Sequence, residues 1–416
     1  MTELSRVDYT AQSNDPRYLV SATVDLGTPL ADVTVKEVVI GESLLNPSAH
    51  AMVTLQSAMY WRPTNWNAFR CQPISINIKD NRLNSSRRML VNQHVYRCEN
   101  RHFTVSNSGS VEELTLHTID ESILKDAETI MEKSWKCSTP SAVVKEAMDK
   151  MGVTEFTINE STGPGRPYVA ESIHPLQVIQ QQANVALYNG NDPSFLHYMT
   201  IDSNSGINVH KFLPLTQLMH DSNDVYDIYG SDVGITGGRG FADQSDYDEN
   251  QRALRTAVTF NFPCDYDVLS DLLNGVNCNG MNMNDVRTFN LSSGSTSSVS
   301  GIMSQAANIF KSLTMAGTAE QQNSCETLVE KYLHTRQARM GMLERDKIAL
   351  RITVPWSPWL HVGQQINFHW QNRYKEDYPQ YGSGRYLILH MTHNIQYGGY
   401  AVTNLDCIAN TFGTRD

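Results

Sequence analysis

From Val33 to about Asp120 the chain alternates apolar and polar residues. Val33-x-Val35-x-x-Val38, Met52-Val53-x-Leu55, Ile74-x-Ile76-x-Ile78 and Leu114-x-Leu116 carry the pattern. A period of two sends neighbouring side chains to opposite faces, so each run predicts a strand with one buried face. Asp80-Asn81 and Asn107-Ser108-Gly109 supply turns between them. The block predicts a small antiparallel barrel or sandwich. Around Ser138 the period lengthens. In "CSTPSAVVKEAMDKMG" a Ser/Thr cap precedes Pro140 and Gly152 stops the run, which predicts a helix. Its apolar stripe is Val143, Val144, Ala147, Met148 and Met151. A strand follows at Phe156-x-Ile158, then a Gly-Pro-Gly loop at 163–165. A second helix opens at His174-Pro175, buries Leu176, Ile179, Ala183 and Ala186, and stops at Asn189-Gly190. Phe195 to Phe212 predicts a hairpin turning at Asn204-Ser205-Gly206.

Residues 221–250 are acidic and Gly-rich and predict a long loop. Strands resume at Ala257-x-Thr259-x-Asn261. "LSSGSTSSVSG" (291–301) predicts a flexible link, followed by helical patterns at 302–315 and 325–344 and a last β block from Ile348 to Ile408. The resulting fold class is α+β, mainly β: two related antiparallel β-barrel modules, an α+β module and helical insertions. The divisions are an N-terminal arm (1–30), a first barrel (31–135), an α+β domain (136–215) and an acidic Gly-rich loop region (216–252). A second barrel is split between 253–290 and 346–416, with a linker and helical insertion at 291–345.

The relation between the barrels comes from an internal echo. Leu44-Leu45-Asn46 and Val53-x-Leu55 match Leu272-Leu273-Asn274 and Met281-x-Met283. "PISINIKDN" (73–81) resembles "GQQINFHWQN" (363–372). "HFTVSNSGSVEELTLHTI" (102–119) resembles "THNIQYGGYAVTNLDCIA" (392–409). The three pairs come in the same order. That predicts a duplicated β module whose second copy is interrupted near 290–345.

Composition narrows the function. The 416 residues carry a formal net charge of −11. Residues 331–416 hold 10 Lys and Arg against 6 Asp and Glu, a local +4 that leaves −15 to the rest. Net acidity argues against sequence-independent DNA binding, which draws affinity from cations on phosphate. No apolar run is long enough for a membrane span, and the N-terminus has no signal-peptide pattern, so folding in a cytoplasm is expected. Seven cysteines, an odd count with no CxxC spacing, predict reduced thiols and no structural zinc.

No catalytic constellation emerges. "GITGGRG" (234–240) lacks the Gly-Lys-Ser/Thr ending of a phosphate loop, and "YGSGRY" (381–386) reads as a turn before a strand. His390 and His393 are three apart on a strand and face opposite sides. The acidic cluster at Asp243, Asp246, Asp248 and Glu249 lacks the calcium-loop spacing. No cofactor, metal or catalytic residue is expected. One stretch stands out, "VPWSPWLHVGQQINFHW" (354–370), with three of the six tryptophans. Its candidate packing or interface residues are Trp356, Trp359, Leu360 and Trp370.

The closing run is also where the sequence resembles a family. Val354-Pro355, Leu360-His361-Val362-Gly363, Ser383-Gly384-Arg385-Tyr386-Leu387-Ile388 and His393 are similar to the last barrel of the central baseplate hubs of contractile phage tails, the T-even type. These hubs are related to the upper part of type VI secretion spikes. Tyr266-Asp267-Val268-Leu269 with Gly275 resembles the family's Phe-Asp-Val-Leu…Gly segment, with Tyr for Phe. His174-Pro175-Leu176-Gln177-Val178-Ile179 resembles its Ser-Pro-Phe helix, with His174 departing.

The resemblance implies a structural virion protein and not an enzyme. It implies a homotrimer whose two barrels per subunit form a pseudo-sixfold ring. Such a ring joins a tail tube or tube-initiator protein above to a central spike protein below, among other baseplate proteins. DNA passes through without specific binding, and nothing inserts in a membrane. Localisation is then the tail baseplate, assembled in a host bacterial cytoplasm. The Trp-Pro turn is expected at a barrel end. If DNA passes, Arg336, Arg339, Arg345, Lys347 and Arg351 are expected to face neighbouring subunits or the outside. The rival readings are a tail-carried peptidoglycan hydrolase, a glycan-binding tail protein using Trp356 and Trp359, and the hub of a secretion system or tailocin.

Overall fold

The computed structural model describes residues 2–3, 20–26, 33–57, 71–81, 87–106, 109–161, 165–189, 192–220, 225–230, 254–263, 349–372, 375–379, 382–396 and 400–409. The chain opens with β1 (Thr2–Glu3), β2 (Val20–Asp25), β3 (Val33–Ser43), β4 (His50–Ser57), β5 (Pro73–Asp80), β6 (Arg88–Ser106) and β7 (Gly109–Ile119). Next come α1 (Glu121–Glu128), β8 (Met131–Ser138), α2 (Pro140–Lys150), β9 (Phe156–Ile158), β10 (Arg166–Ile173), α3 (Pro175–Ala183), β11 (Phe195–Ile201), β12 (Asn208–Pro214) and α4 (Leu215–His220). The last block holds β13 (Val225–Gly230), β14 (Thr259–Asn261), β15 (Leu350–Pro355), β16 (Gln365–Asn372), β17 (Lys375–Pro379), β18 (Gly384–Gln396) and β19 (Ala401–Ile408).

The alternating runs become strands because one face of each joins a common core. Val24, Val38, Val53, Ile76, Val91 and Leu116, one from each of β2 to β7, are buried together. A second core gathers Tyr226, Ile352, Ile366, Phe368, Met391 and Leu405 from β13 to β19.

The duplication is visible in connectivity. In the first half the hydrogen-bonded order is β2-β5-β6-β7-β4-β3, and in the second it is β13-β16-β18-β19-β15-β14. Numbered within each half and leaving β1 and β17 aside, both read 1-4-5-6-3-2. Local details repeat as well. β6 carries a bulge between Val95 and Arg97, and β18 carries one between Ile388 and His390. Cys71 (φ 56°) donates its N–H to Val95 O at 2.9 Å, and Gly363 (φ 80°) donates to Ile388 O at 3.0 Å. One difference is that β13 runs parallel to β16 whereas β2 runs antiparallel to β5.

The halves are joined edge to edge. β18 uses one edge twice: Gly384–Leu387 pair with β16, and His390–Gln396 pair with β3 from Ser43 back to Glu37. What the sequence predicts as two barrels is therefore one long, mainly antiparallel sheet, each half folded round its own core. Of the echoed segments, 73–81 and 363–372 are β5 and β16, and 102–119 and 392–409 fall on the β6–β7 and β18–β19 pairs. Residues 270–284 lie outside the described residues. The topological counterpart of β4 is β15.

The α+β part forms a third core. Val143, Val144, Ala147, Met148 and Met151 of the α2 stripe meet Val178, Ile179 and Ala183 of α3 and the stacked rings of Phe195 and Phe212. Thr139 caps α2 by accepting from Ala142 N, with Pro140 in the first turn. His174, where the resembling helix has Ser, turns its Nδ1 to the carbonyls of Asp126 and Thr129, each at 2.9 Å. Asp126 Oδ1 then accepts from Leu176 N at 2.7 Å, so the α3 N-terminus is capped by the end of α1.

Several expectations change. Residues 225–230, read as loop, are β13: Tyr226 and Ile228 alternate inward, a signal hidden by acidic flanks. Val20–Asp25, read as arm, is β2 and pairs with β5. β8 pairs with β10, so Met131 and Trp135 pack with the α+β core. The short helices α1 and α4 had no periodic signal. Cys137 is disulfide-bonded, against the expectation of reduced thiols, because neither an odd count nor missing CxxC spacing excludes a distant pairing. Cys71, Cys98 and Cys407 are free. The Gly-rich run at 234–240, the acidic residues 243–249, the link at 291–301, the helical patterns at 302–344 and Arg336, Arg339, Arg345 and Lys347 lie outside the described residues.

Candidate functional site

The three cores meet at one place, and a β-ribbon and a loop build it. The ribbon is β11–β12, with Tyr198 opposite Lys211, Met199 opposite His210 and Ile201 opposite Asn208. Because side chains alternate, one face of the ribbon serves two cores. Phe195 and Phe212 lie among the helices, and Met199 and Ile201 enter the first β core. The other face puts Leu196 and Tyr198 into the second β core. The ribbon tip is bonded to β6, through Leu90 N to Ser203 O (2.9 Å) and Asn92 N to Gly206 O (3.0 Å).

The loop is 356–364, between β15 and β16. Trp356 is wholly buried, but in the core of the opposite half, where the Arg87 guanidinium lies 5.2 Å from its ring centre. Arg87 is itself ion-paired with buried Asp80 at 2.9 Å. Four residues on, Leu360 is wholly buried in the second core. The loop thus stitches the two halves together. Trp356 N donates to Ala401 O (3.0 Å), Ser357 N to Thr403 Oγ1 (3.1 Å), and Ser203 Oγ to Pro358 O. Trp359 is 40% exposed. Gly363 closes the loop in the left-handed region, where a Cβ would sit 2.8 Å from the Tyr198 hydroxyl. Trp370 lies elsewhere, in an aromatic cluster with Phe260, Phe262 and Phe368 in the second half. Of the four sequence candidates, then, Trp356 and Leu360 work together, Trp359 stands on the surface between them, and Trp370 belongs to a separate packing group.

Sequence reasoning missed the charged heart of the joint. Glu42 on β3 is buried and points inward. Its Oε1 accepts from Ile201 N of the ribbon (2.9 Å), and its Oε2 from Val362 N of the loop (3.3 Å). His361 Nδ1 lies 3.7 Å from Oε1. Burial pushes the Glu42 pKa up, but the His361 contact, the Ile201 N–H and His393 outweigh it and hold the carboxyl below its usual range. His393 is wholly buried, with Nδ1 2.9 Å from Thr403 Oγ1, and burial drives its pKa down to about 4. Tyr198 is raised by burial and by the Glu42 charge. His390 faces outward to Ser43, as alternation predicts.

A second polar chain crosses the middle of the ribbon and reaches its tip. His197 Nε2 is 3.0 Å from His210 Nδ1, and His210 Nε2 is 2.8 Å from Ser122 Oγ, which also contacts Asp120. Asn208 donates to Asp120 Oδ2 (2.7 Å) and to Asn92 O (3.2 Å). Burial lowers both histidines, His210 to about 4. Ser122 lies in the first turn of α1, and its N–H and hydroxyl both donate to Oδ1 of Asp120, the helix N-cap. The arrangement caps a helix and docks the ribbon.

Among the described residues no three His, Cys, Asp or Glu lie together as metal ligands, and no helix is long and apolar enough to cross a membrane.

No known family profile matches the sequence, and no curated protein matches it. Solved structures do match. One is an Escherichia coli component of the type VI secretion system, described as structurally similar to the bacteriophage T4 tail proteins gp27 and gp5. The similarity is TM-score 0.52 at 12% identity, over 95% of this chain and 79% of that one. Another is the tail protein from Neisseria meningitidis MC58, at TM-score 0.50 and 12% identity over 95% and 97% of the two chains. The chain has the fold of these phage-tail and type VI secretion proteins.

Proposed function

We propose that the chain is the structural hub of a tail baseplate. In this reading it acts as a trimer whose six β modules ring a channel, between a sixfold tail tube above and a threefold spike below. The observation that carries this is the repeated 1-4-5-6-3-2 strand order, with the two copies fused by the β3–β18 seam. A subunit with two like modules presents six similar units from three copies, which is what a threefold-to-sixfold adaptor requires. The joint at Trp356 and Glu42 then fixes the angle between modules and so the geometry of the ring.

The hub works by assembly, with no catalysis, in the virion tail. DNA passes without being held. In support, charges on and beside the seam are met within the sheet: Glu37 by Gln396 across the seam (3.1 Å), exposed Arg351 by Asp406 (3.3 Å), and buried Glu113 by Lys36. Arg351, expected to face a neighbouring subunit or the outside, is exposed. The likeness to the E. coli type VI component supports a second reading, the same hub in a secretion apparatus. Light scattering of the full chain, alone and with its spike, tests the proposal. A trimer of the 46.7 kDa chain is expected. A monomer under both conditions overturns it. Hydrolysis of peptidoglycan by the purified chain would overturn the non-catalytic reading.

A further inference from the structure

The internal seam has a counterpart that the chain leaves open. β18 extends past its bulge, and that far half is covered by β3. β6 also extends past its bulge, from Arg97 to Ser106, held by β7 along one edge. On its other edge β5 and the Cys71–Gln72 backbone reach as far as Val95, and among the described residues nothing pairs beyond. At the opposite end of the sheet β14 pairs with β15. The residues leading into β14 are bridged to β13 on the second edge, through Thr256 with Tyr229 and Ala257 N to Tyr229 O (2.8 Å), and past that bridge Thr259–Asn261 have no strand partner there among the described residues.

We propose that β14 of one copy pairs antiparallel with the far half of β6 in a second copy, repeating between chains the β3–β18 seam within the chain. This rests on the hub reading and names the contact that would close its ring.

The register makes the proposal specific. Arg97 follows the β6 bulge and pairs with His117, as His390 follows the β18 bulge and pairs with Asp406. Arg101, His102 and Phe103 therefore occupy the places of Asn394, Ile395 and Gln396. On the other strand, Thr259, Phe260 and Asn261 face Thr353, Ile352 and Arg351, as Glu37, Val38 and Val39 face Thr54, Val53 and Met52. Within the chain Val39, Val38 and Glu37 meet Asn394, Ile395 and Gln396. Between copies Asn261, Phe260 and Thr259 then meet Arg101, His102 and Phe103.

An exposed strand edge is a row of unpaired donors and acceptors that recruits another strand. Here the recruited edge is different from the recruiting one, so copies add head to tail and close when the rotation allows. If both seams turn by the same sixth of a circle, three copies close the ring. The sequence carries the same repeat past the two strands: Trp61-Arg62-Pro63 follows β4, and Trp356-Ser357-Pro358 follows β15.

The test uses two full-length variants, Arg101→Cys and an affinity-tagged Asn261→Cys, each also carrying Cys71→Ser. They are co-expressed, purified as the mixed assembly and oxidised with copper phenanthroline. The expected product is a disulfide joining one copy of each, with no cross-link from either variant alone. Cross-linking of Arg101→Cys to itself would mean that like edges pair, and would overturn the proposal. A trimer by light scattering without the mixed cross-link overturns the strand pairing and leaves the hub reading standing. Absence of both trimer and cross-link overturns both. A second measurement needs no variant. In the wild-type trimer, the amides of 97–103 that point away from β7 should exchange as slowly as those of 88–94 paired to β5, and fast exchange there overturns the proposal.

Discussion

The two β halves share one strand order, one bulge and one positive-φ residue, yet they are not equally finished. In the second half the long strand β18 is covered along both edges, and the loop after β15 plugs Trp356 into the neighbouring core. In the first half the long strand β6 keeps half an edge open among the described residues. The two copies of one architecture therefore differ: one makes its edge contacts inside the chain, and the other shows no edge partner beyond Val95 among the described residues. On the proposed pairing of copies, the internal interface is the template for the external one.

The largest expected effect comes from unpicking the finished side. Trp356→Ala removes a wholly buried ring from between the two halves. Loss of its contacts and the cavity left behind should cost ~3–5 kcal/mol. Chemical denaturation should show this loss. If the plug also sets the angle between modules, light scattering should show less trimer at matched concentration. An unchanged melting curve together with lost sugar binding would favour a glycan-binding role instead. Trp359→Ala, at an exposed site, should change stability by less than ~1 kcal/mol.

Acid should attack the same joint. The ionisable groups facing it are Glu42 on β3, Tyr198, Asp202 and Lys211 on or beside the ribbon, His361 on the loop and His393 on β18. Asp120, His197 and His210 belong to the second polar chain across the ribbon. His393 ordinarily titrates near 6.5 and is lowered to about 4 in the fold. Between those values the unfolded chain takes up a proton that the folded chain refuses, so stability is present above about 6.5 and is lost as pH falls towards 4. For a wholly buried group this is on the order of 3 kcal/mol at full protonation. His210 and His197 act in the same direction. Glu42, whose pKa is lowered, adds a further loss as pH drops below its ordinary 4.5. Melting curves between pH 7 and 4 should fall steadily, and His393→Asn should flatten the upper part of that fall. A stability that rises on acidification would contradict the assignment.

Much of the sheet was legible beforehand and the joint was not, for one reason. Ile74, Ile76 and Ile78, or the α2 stripe from Val143 to Met151, announce themselves because their partners share a local period. The echo between β5 and β16 was readable on the same ground. Trp356 enters the core of the other half, and no local pattern records which core a residue will enter. Glu42 and His393 each sit singly among apolar residues on the inward face of a strand, after Val38 and Ile40 on β3 and between Met391 and Ile395 on β18, where an inward polar residue looks like a break in the alternation. β13 was lost because Asp224 and Asp227 coloured a segment whose Tyr226 and Ile228 keep a strict period of two. His174 looked like a departure from a capped helix start, whereas the cap is supplied by Asp126 from a different helix.

The repeated left-handed residue offers a paired test with opposite signs. Gly363 and Cys71 occupy equivalent places, at φ 80° and 56°. Gly363→Ala strains the backbone and drives a Cβ to 2.8 Å from the Tyr198 hydroxyl, so a loss of ~1–3 kcal/mol is expected. Cys71→Gly relieves the penalty that an L-residue carries in that region, about 1–2 kcal/mol, partly offset by the freedom glycine gains when unfolded. A small gain in melting temperature is expected. If both substitutions destabilise equally, the two positions are not equivalent.

The smallest effect concerns a charged pair with no charged counterpart at the equivalent place in the other half. Arg351 opposite Asp406 in the second half stands where Met52 opposite His117 stands in the first. The pair is solvent-exposed, with the guanidinium Nε 3.3 Å from Oδ1. Exposed pairs gain little Coulomb energy in water, and holding long side chains in place offsets part of it, so Arg351→Met should change stability by less than ~1 kcal/mol. Asp406→Asn should be equally mild for folding but different for DNA. It leaves the Arg351 cation without its carboxylate, and in a trimeric ring that cation is repeated in every copy. Each phosphate contact so formed releases a counterion and steepens the salt dependence of binding by roughly 0.9 in log–log slope. Duplex DNA binding by the assembled Asp406→Asn protein, titrated from low to physiological salt, should therefore exceed wild type at low salt and converge with it as salt rises. Equal binding at every salt concentration would show that this face of the sheet does not meet DNA and would leave the channel wall to other residues.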